Sequence, residues 1–140
     1  MGSKTSPATE TPIELRSRIM RAIKSIDTGP EIQVRRILFA LGFRYRLHRR
    51  DLPGCPDIAI KNRKRAIFVN GCFWHGHDCP RGRRVPKRNN AYWRQKIGRN
   101  VARDAWAIAK LKRMRWRVLT VWECELKGKG IANRLRRFMT

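Results

Sequence analysis

Acidic residues are scarce in this chain: 10 Asp and Glu stand against 34 Lys and Arg, a formal net charge of +24 over 140 residues. A balance this lopsided repels itself in the compact state unless a polyanion neutralises it, so nucleic acid is the expected partner. Long apolar runs are missing as well, and the mean hydropathy is −0.60. No membrane span or amphipathic membrane anchor is therefore expected. Residues 1–7 lack the apolar stretch of a signal peptide, which makes a reducing cytoplasm the expected compartment. With only 4 cysteines in such a compartment, metal ligation is a better use of the thiols than disulfides.

What is present reads as one α/β domain. Residues 1–11 are rich in Ser, Thr and Pro and are expected to be disordered, leaving residues 12–140 as the folded unit. Pro12 in a first turn, with Ile19, Ala22, Ile23 and Ile26 at helical spacing, predicts a helix over 12–26. Thr28 and Glu31 form a capping box for a second helix, whose stripe is Val34, Ile37, Leu38 and Leu41 and whose end is Gly42. Alternating apolar and basic residues predict a half-exposed strand over 43–47. Residues 57–60 and 66–69 flank a polar turn, as in a hairpin, and the second arm is apolar enough to be central. Residues 71–88 carry too much Gly, Pro and Cys for regular structure. A long helix follows from Asn89 to about Met114, with Ile97, Val101, Ala105, Ile108 and Leu111 on one face. A strand over 116–122, a turn over 123–126 and a helix over 131–138 complete a mixed sheet flanked by helices.

The chain is organised around residues 68–79, where an apolar strand runs into Cys72, Phe73, Trp74, His75, His77 and Cys79. Cys72, His77 and Cys79, joined by Cys124 at the end of the last strand, offer three thiolates and an imidazole, the ligand set of a closed structural zinc site. Cys55 and His75 compete for the same role, and a buried cysteine can also be a plain small hydrophobe.

Asp57 sits at a strand mouth beside the end of the strand carrying Val69 and Asn70, where a carboxylate is a natural Mg²⁺ ligand for phosphodiester chemistry. A strand-start Asp can equally satisfy turn amides, and the capping box alone explains Glu31. His75 is suited to proton transfer near neutral pH. Phe73 and Trp74, on a glycine-braced loop, suit wedges that enter a base stack. A basic run from Arg81 to Arg103 surrounds them, and Lys96, Asn100 and Asp104 share one helix stripe.

The stretches Leu52-Pro53-Gly54-x-Pro56-Asp57, Ile67 through Cys79, Trp93, Val101-x-Arg103-Asp104 and Trp116 through Cys124 resemble the very-short-patch repair (Vsr) endonucleases. The likeness covers roughly residues 15–126. It implies a fold related to type II restriction endonucleases, a structural Zn²⁺, and Mg²⁺-dependent nicking of double-stranded DNA. The nick falls 5′ of the T in a T·G mismatch, the lesion left when 5-methylcytosine deaminates.

By the same resemblance, Asp57 is the metal-binding aspartate and Val69 a metal ligand through its main-chain oxygen. His75 is the catalytic histidine, with Glu31 a supporting acid and Asn70 standing where some members carry a second active-site histidine. Cys72, His77, Cys79 and Cys124 are the zinc ligands. Phe73, Trp74 and Trp93 are the aromatics beside the mismatch, while Met20, Lys96 and Asn100 contact the opened duplex. The resemblance also brings in mismatch-repair proteins as further partners, a monomeric state, and association with the bacterial nucleoid through DNA. Two other readings stay open: a nickase of relaxed specificity, and a zinc-stabilised nucleic-acid-binding module without catalysis.

Overall fold

A computed structural model describes residues 11–13 and 28–140. Pro12 and Ile13 are helical; the rest of the helix expected over 12–26, with Met20, lies outside the described residues. The order thereafter is helix α1 (Gly29–Ala40), strands β1 (Arg46–Leu47), β2 (Ile58–Ile60) and β3 (Arg65–Asn70), helix α2 (Asn90–Arg113), strand β4 (Arg117–Trp122) and helix α3 (Ile131–Met139). Short 3₁₀ turns follow β2 and β4. None of these helices is long and apolar enough to cross a membrane.

The sheet is four-stranded and mixed, in the order β1-β2-β3-β4. β2 and β3 form the expected antiparallel hairpin, with Ile58 opposite Ile67. β4 returns parallel to β3, with Val69 opposite Val121 and Asn70 opposite Trp122. β3 is thus interior and buried on both faces, as its apolar run predicts. The edge strand is shorter than the 43–47 expected, because β1 pairs only with Ala59 and Ile58 of a three-residue neighbour.

Strand alternation divides the interior into two cores. On one face Ile58, Ile60, Ile67 and Val121 meet Val34 and Leu38 of α1 and Leu135, Phe138 and Met139 of α3. Each fully buried side chain of that size stabilises the fold by about 1.5–3 kcal/mol. On the other face Ala59, Ala66 and Phe68 meet Ala107 and Leu111 of α2, together with Leu52 and Trp116. Small residues on this side let α2 approach closely. Gly54, at φ 75°, sits where an added Cβ would come within 2.5 Å of the Ala107 Cβ.

Local chemistry sets the ends of the helices. Thr28 accepts from the Glu31 N–H at the start of α1, and Gly42 takes φ 90° beyond its end. In α2 the buried residues are Trp93, Ile97, Asn100, Ala107 and Leu111. The face expected from the sequence is rotated: Val101 is 45% exposed and Ala105 is also exposed. Where apolar residues are spread around a helix, the elements packed on it decide the phase.

Candidate active site and metal centre

Two features of the chain path bring together a cluster of cysteine and histidine side chains able to hold a metal. β3 and β4 end in register, so Cys72 and Cys124, each two residues past the last pair, emerge side by side. The intervening loop then folds back, with the His77 N–H donating to the Cys72 carbonyl at 3.0 Å and the Cys79 N–H to the His77 carbonyl at 2.9 Å. Ligand atoms of Cys72, His77, Cys79 and Cys124 all lie within 4.8 Å of one another. The cysteines are unpaired by disulfides, and neither Cys55 nor His75 joins the group.

Burial pushes the Cys72 thiol up to about 12, whereas the Gly82 N–H, donating to Cys79 Sγ at 3.3 Å, leads in lowering Cys79 to about 7. The Gly82 N–H thus favours the thiolate form at Cys79. His77 is held flat against Trp122, ring centroids 4.1 Å apart and 14° from parallel. Gly82 is indispensable here: a Cβ would fall 1.9 Å from the His77 carbonyl oxygen. Three thiol sulfurs and an imidazole at this spacing fit a tetrahedral zinc ion.

Beside the cluster lies a cleft of about 790 Å³. Asp57, Glu31, His75, Asp104, Asn100, Phe73 and Trp74 all line it. Asp57 is carried to the β2 mouth by the Leu52-Pro53-Gly54 turn, and its Oδ2 accepts the Val69 N–H at 2.7 Å. Burial raises the Asp57 carboxyl to about 7; the Val69 N–H opposes that rise and the Glu31 carboxylate adds to it. Two carboxylates forced together in a partly desolvated cleft suit a divalent cation, which relieves both repulsion and desolvation. Val69 meets Asp57 through its N–H. Asn70, 6% exposed, also lines the cleft.

His75 Nδ1 lies 2.5 Å from Asp104 Oδ2, a contact that joins the loop to α2. Asn100, on the same stripe of α2, donates its Nδ2 to the Trp74 carbonyl at 2.9 Å. These two bonds fix the loop's main chain and its histidine independently of the metal cluster. Gly76, at φ 63°, allows the turn between them, where a Cβ would press on Ile97 and Val101.

The aromatics form a nest. Phe73 packs edge-on against Trp74 at 5.2 Å and against Trp93 at 5.8 Å, and Lys96 Nζ stands 6.0 Å from the Trp74 ring. Phe73 and Trp74 are half-buried, whereas Trp93 is 1% exposed. In this conformation Trp93 is the floor under the other two, and reaching a duplex itself would require the nest to open. Arg81 and Glu123 pair at 3.4 Å at the cleft's edge.

The sequence places Asp104 on a polar stripe and in a family-like motif without a role, and assigns none to His48 or Gly82. An i, i+4 count from Asn100 reaches Asp104 but cannot reveal the His75 partner 29 residues earlier. Cys55, exposed at φ 48°, lines the cleft.

A carboxylate pair, a histidine held by a third carboxylate and a thiol-rich group able to hold a metal, gathered around one cleft of a strongly basic chain, are the parts of a nucleic-acid-cleaving hydrolase. Comparison with known proteins gives the family. A family model described as DNA mismatch endonuclease Vsr matches residues 10–81. The type II nicking enzyme V.XorIIP of Xanthomonas oryzae pv. oryzae is 46% identical over 127 residues, spanning 90% of this chain and 93% of its own. The type II nicking enzyme V.NmeAIP of Neisseria meningitidis is 43% identical over 125 residues, 89% of each chain. The DNA mismatch endonuclease Vsr of Escherichia coli is 42% identical over 114 residues, 81% of this chain and 72% of its own. The chain belongs to the Vsr family of DNA mismatch endonucleases.

Proposed function

We propose that this endonuclease nicks double-stranded DNA 5′ of the T in a T·G mismatch, using Mg²⁺ at Asp57 and a structural Zn²⁺ at Cys72, His77, Cys79 and Cys124. The observation that carries the reading is that Asp57, Glu31, His75, Phe73 and Trp74 all face one cleft. Bound there, Mg²⁺ supplies Lewis-acid stabilisation of the charge that develops on the phosphate during in-line displacement. Asp57 and Glu31 hold it, and the Val69 N–H keeps the Asp57 carboxylate aimed.

His75 handles the proton. A carboxylate at Nδ1 fixes the ring hydrogen there, which leaves the Nε2 lone pair to accept a proton from the attacking water. Asn70 can orient a group by hydrogen bonds but cannot exchange a proton near neutral pH, so that work falls to His75.

Phe73 and Trp74 enter the duplex where stacking is already weak, since unstacking costs least at a mismatch. Lys96 and Asn100 border them, Trp93 supports them from beneath, and the remaining basic residues hold the backbone in a salt-sensitive way. The protein works on DNA as a monomer in the bacterial cytoplasm.

The test is strand nicking of paired duplexes differing only in T·G against matched C·G, with Mg²⁺ at physiological salt. A single nick 5′ of the T, in the mismatched duplex alone, is the expected result. Equal nicking of both duplexes overturns the specificity, and no nicking of either overturns the activity.

A further inference from the structure

One histidine is left over from this scheme. His48 follows the edge strand β1 and takes a left-handed backbone conformation, φ 48°, which residues with a side chain adopt rarely and at a cost. Its N–H donates to the Asp57 carbonyl at 3.2 Å, pinning the loop to the start of β2. In this position a ring nitrogen of His48 and carboxylate oxygens of Glu31 and Asp57 lie within 4.8 Å of one another. The three residues come from three places in the fold: α1, the loop after β1, and the mouth of β2.

Arg35 shows what the arrangement is built to face. Its NH2 nitrogen lies 3.0 Å from Glu31 Oε2 and 3.2 Å from His48 Nε2. His48 Nε2 also lies 3.4 Å from Glu31 Oε2, so the imidazole, the carboxylate and the guanidinium share one point. An imidazole nitrogen beside carboxylate oxygens is a common ligand set for a divalent metal. Glu31 and His48 therefore already converge on a cation. A simple i, i+4 pair of Glu31 with Arg35 needs neither the imidazole nor the second carboxylate, and it does not account for a strained loop that brings both to the same point.

We propose that His48 is a nitrogen ligand of the divalent cation held by Asp57 and Glu31, with Arg35 as the resident cation that releases these ligands when the metal enters. The inference rests on the reading of Asp57 as a metal ligand and goes beyond it in the composition of the site. A nitrogen among oxygen ligands changes which ion is favoured. Mg²⁺ keeps to oxygen and water, whereas a softer divalent ion such as Mn²⁺ accepts imidazole readily. This site accordingly binds Mn²⁺ more tightly than Mg²⁺.

The experiment uses the full chain as isolated, grown with ¹⁵N-histidine or unlabelled, loaded with Mn²⁺ and read by pulsed electron paramagnetic resonance. Calorimetric titration with Mn²⁺ and with Mg²⁺ runs in parallel. The expected spectrum shows a nitrogen coupling that changes with the isotope, disappears in His48→Ala and survives in His75→Ala. Mn²⁺ affinity in His48→Ala falls by about tenfold or more, while Mg²⁺ affinity falls less. No histidine coupling in the wild-type spectrum overturns the proposal even if the His48 variant fails to fold. Coupling that follows His75, or unchanged Mn²⁺ affinity in His48→Ala, also overturns it. Asp57→Ala separates the two readings. Loss of Mn²⁺ there with normal binding in His48→Ala removes His48 alone, whereas wild-type binding in Asp57→Ala removes the Asp57 site on which the inference stands.

Discussion

Asp104 on α2 holds Nδ1 of His75 at 2.5 Å, so the histidine that faces the cleft is oriented by a helix rather than by its own loop. On the proposed reading, the loop can therefore carry wedge residues and metal ligands without setting the proton chemistry. Asp104→Asn replaces the carboxylate with an amide that can meet Nδ1 through either its oxygen or its nitrogen, so the ring's proton is no longer fixed. Single-turnover nicking should slow by about 10²-fold, while affinity for the mismatched duplex stays as in the wild type. A matched loss of binding in a gel-shift titration would mean that Asp104 acts by holding the DNA surface instead.

Asp57 makes metal binding depend on pH. Its carboxyl is raised to about 7, chiefly by burial, so below that value a proton competes with the cation. Apparent Mg²⁺ affinity should climb by up to about tenfold per pH unit as pH rises toward about 7 and level off above it. Calorimetry across that range checks this, and a flat profile would contradict it.

The same shift has a signed effect on stability. A value raised in the folded state means that the native protein keeps a proton the unfolded chain has released. The favourable contribution is full below about pH 4 and is lost as pH rises through about 7. Metal-depleted Asp57→Asn should therefore melt above the metal-depleted wild type at about pH 8 and lose that advantage near pH 4. Melting curves at both ends decide it, and an advantage of the same size at both pH values would refute the assignment.

The metal cluster should fail through a residue that never touches the ion. Gly82→Ala puts a methyl group against the His77 carbonyl, where 1.9 Å is available, and removes none of the four ligands. Zinc content should fall below that of the wild type, and stability should drop by about 3 kcal/mol or more, since metal binding and folding are coupled. Cys124→Ser should do the same by direct loss of a ligand. Full zinc occupancy in both variants, measured by elemental analysis, would show that the cluster is not the zinc site.

Phe73→Ala should erode the preference for T·G over matched duplex more than it erodes affinity for DNA in general. Trp93→Ala removes the floor under both wedge residues and should cost stability as well, about 3–5 kcal/mol for a buried Trp. Fluorescence anisotropy on the two duplexes, together with urea melts, separates the effects. Equal loss on both duplexes for Phe73→Ala would assign that ring to packing.

The hairpin, the central strand and the Cys72, His77 and Cys79 part of the cluster could be read from the sequence because each rests on local pattern: alternation, an apolar run, or thiols and imidazole in an irregular loop; Cys124 joins them through its place at the end of the last strand. The orientation of α2 could not. Val101 and Ala105 sit at helical spacing with Ile97, yet Gly54 and Gly76 leave room for α2 to seat other positions, so the buried face runs through Asn100 and Ala107. Trp93 shows the same limit, since an aromatic suited to a base stack is in fact buried beneath its neighbours. Asp104 and His48 gain their neighbours only from the way the sheet, α1 and α2 are packed. In a basic stretch such as the one around His48, composition gives no sign of the carboxylates the fold brings to the histidine.

The in-register ending of β3 and β4 has a consequence for how the chain reaches its fold. Cys72 and Cys124 meet because Asn70 stands opposite Trp122. If β4 paired one residue out of step, its side chains would exchange faces and Cys124 would point away from its partners. The cluster closes in one alignment of the sheet, so an ion captured by all four ligands selects against the slipped pairings. If the cluster takes up an ion as proposed, uptake would act as a checkpoint on strand alignment, and a chain starved of metal would be slower to settle into the correct one.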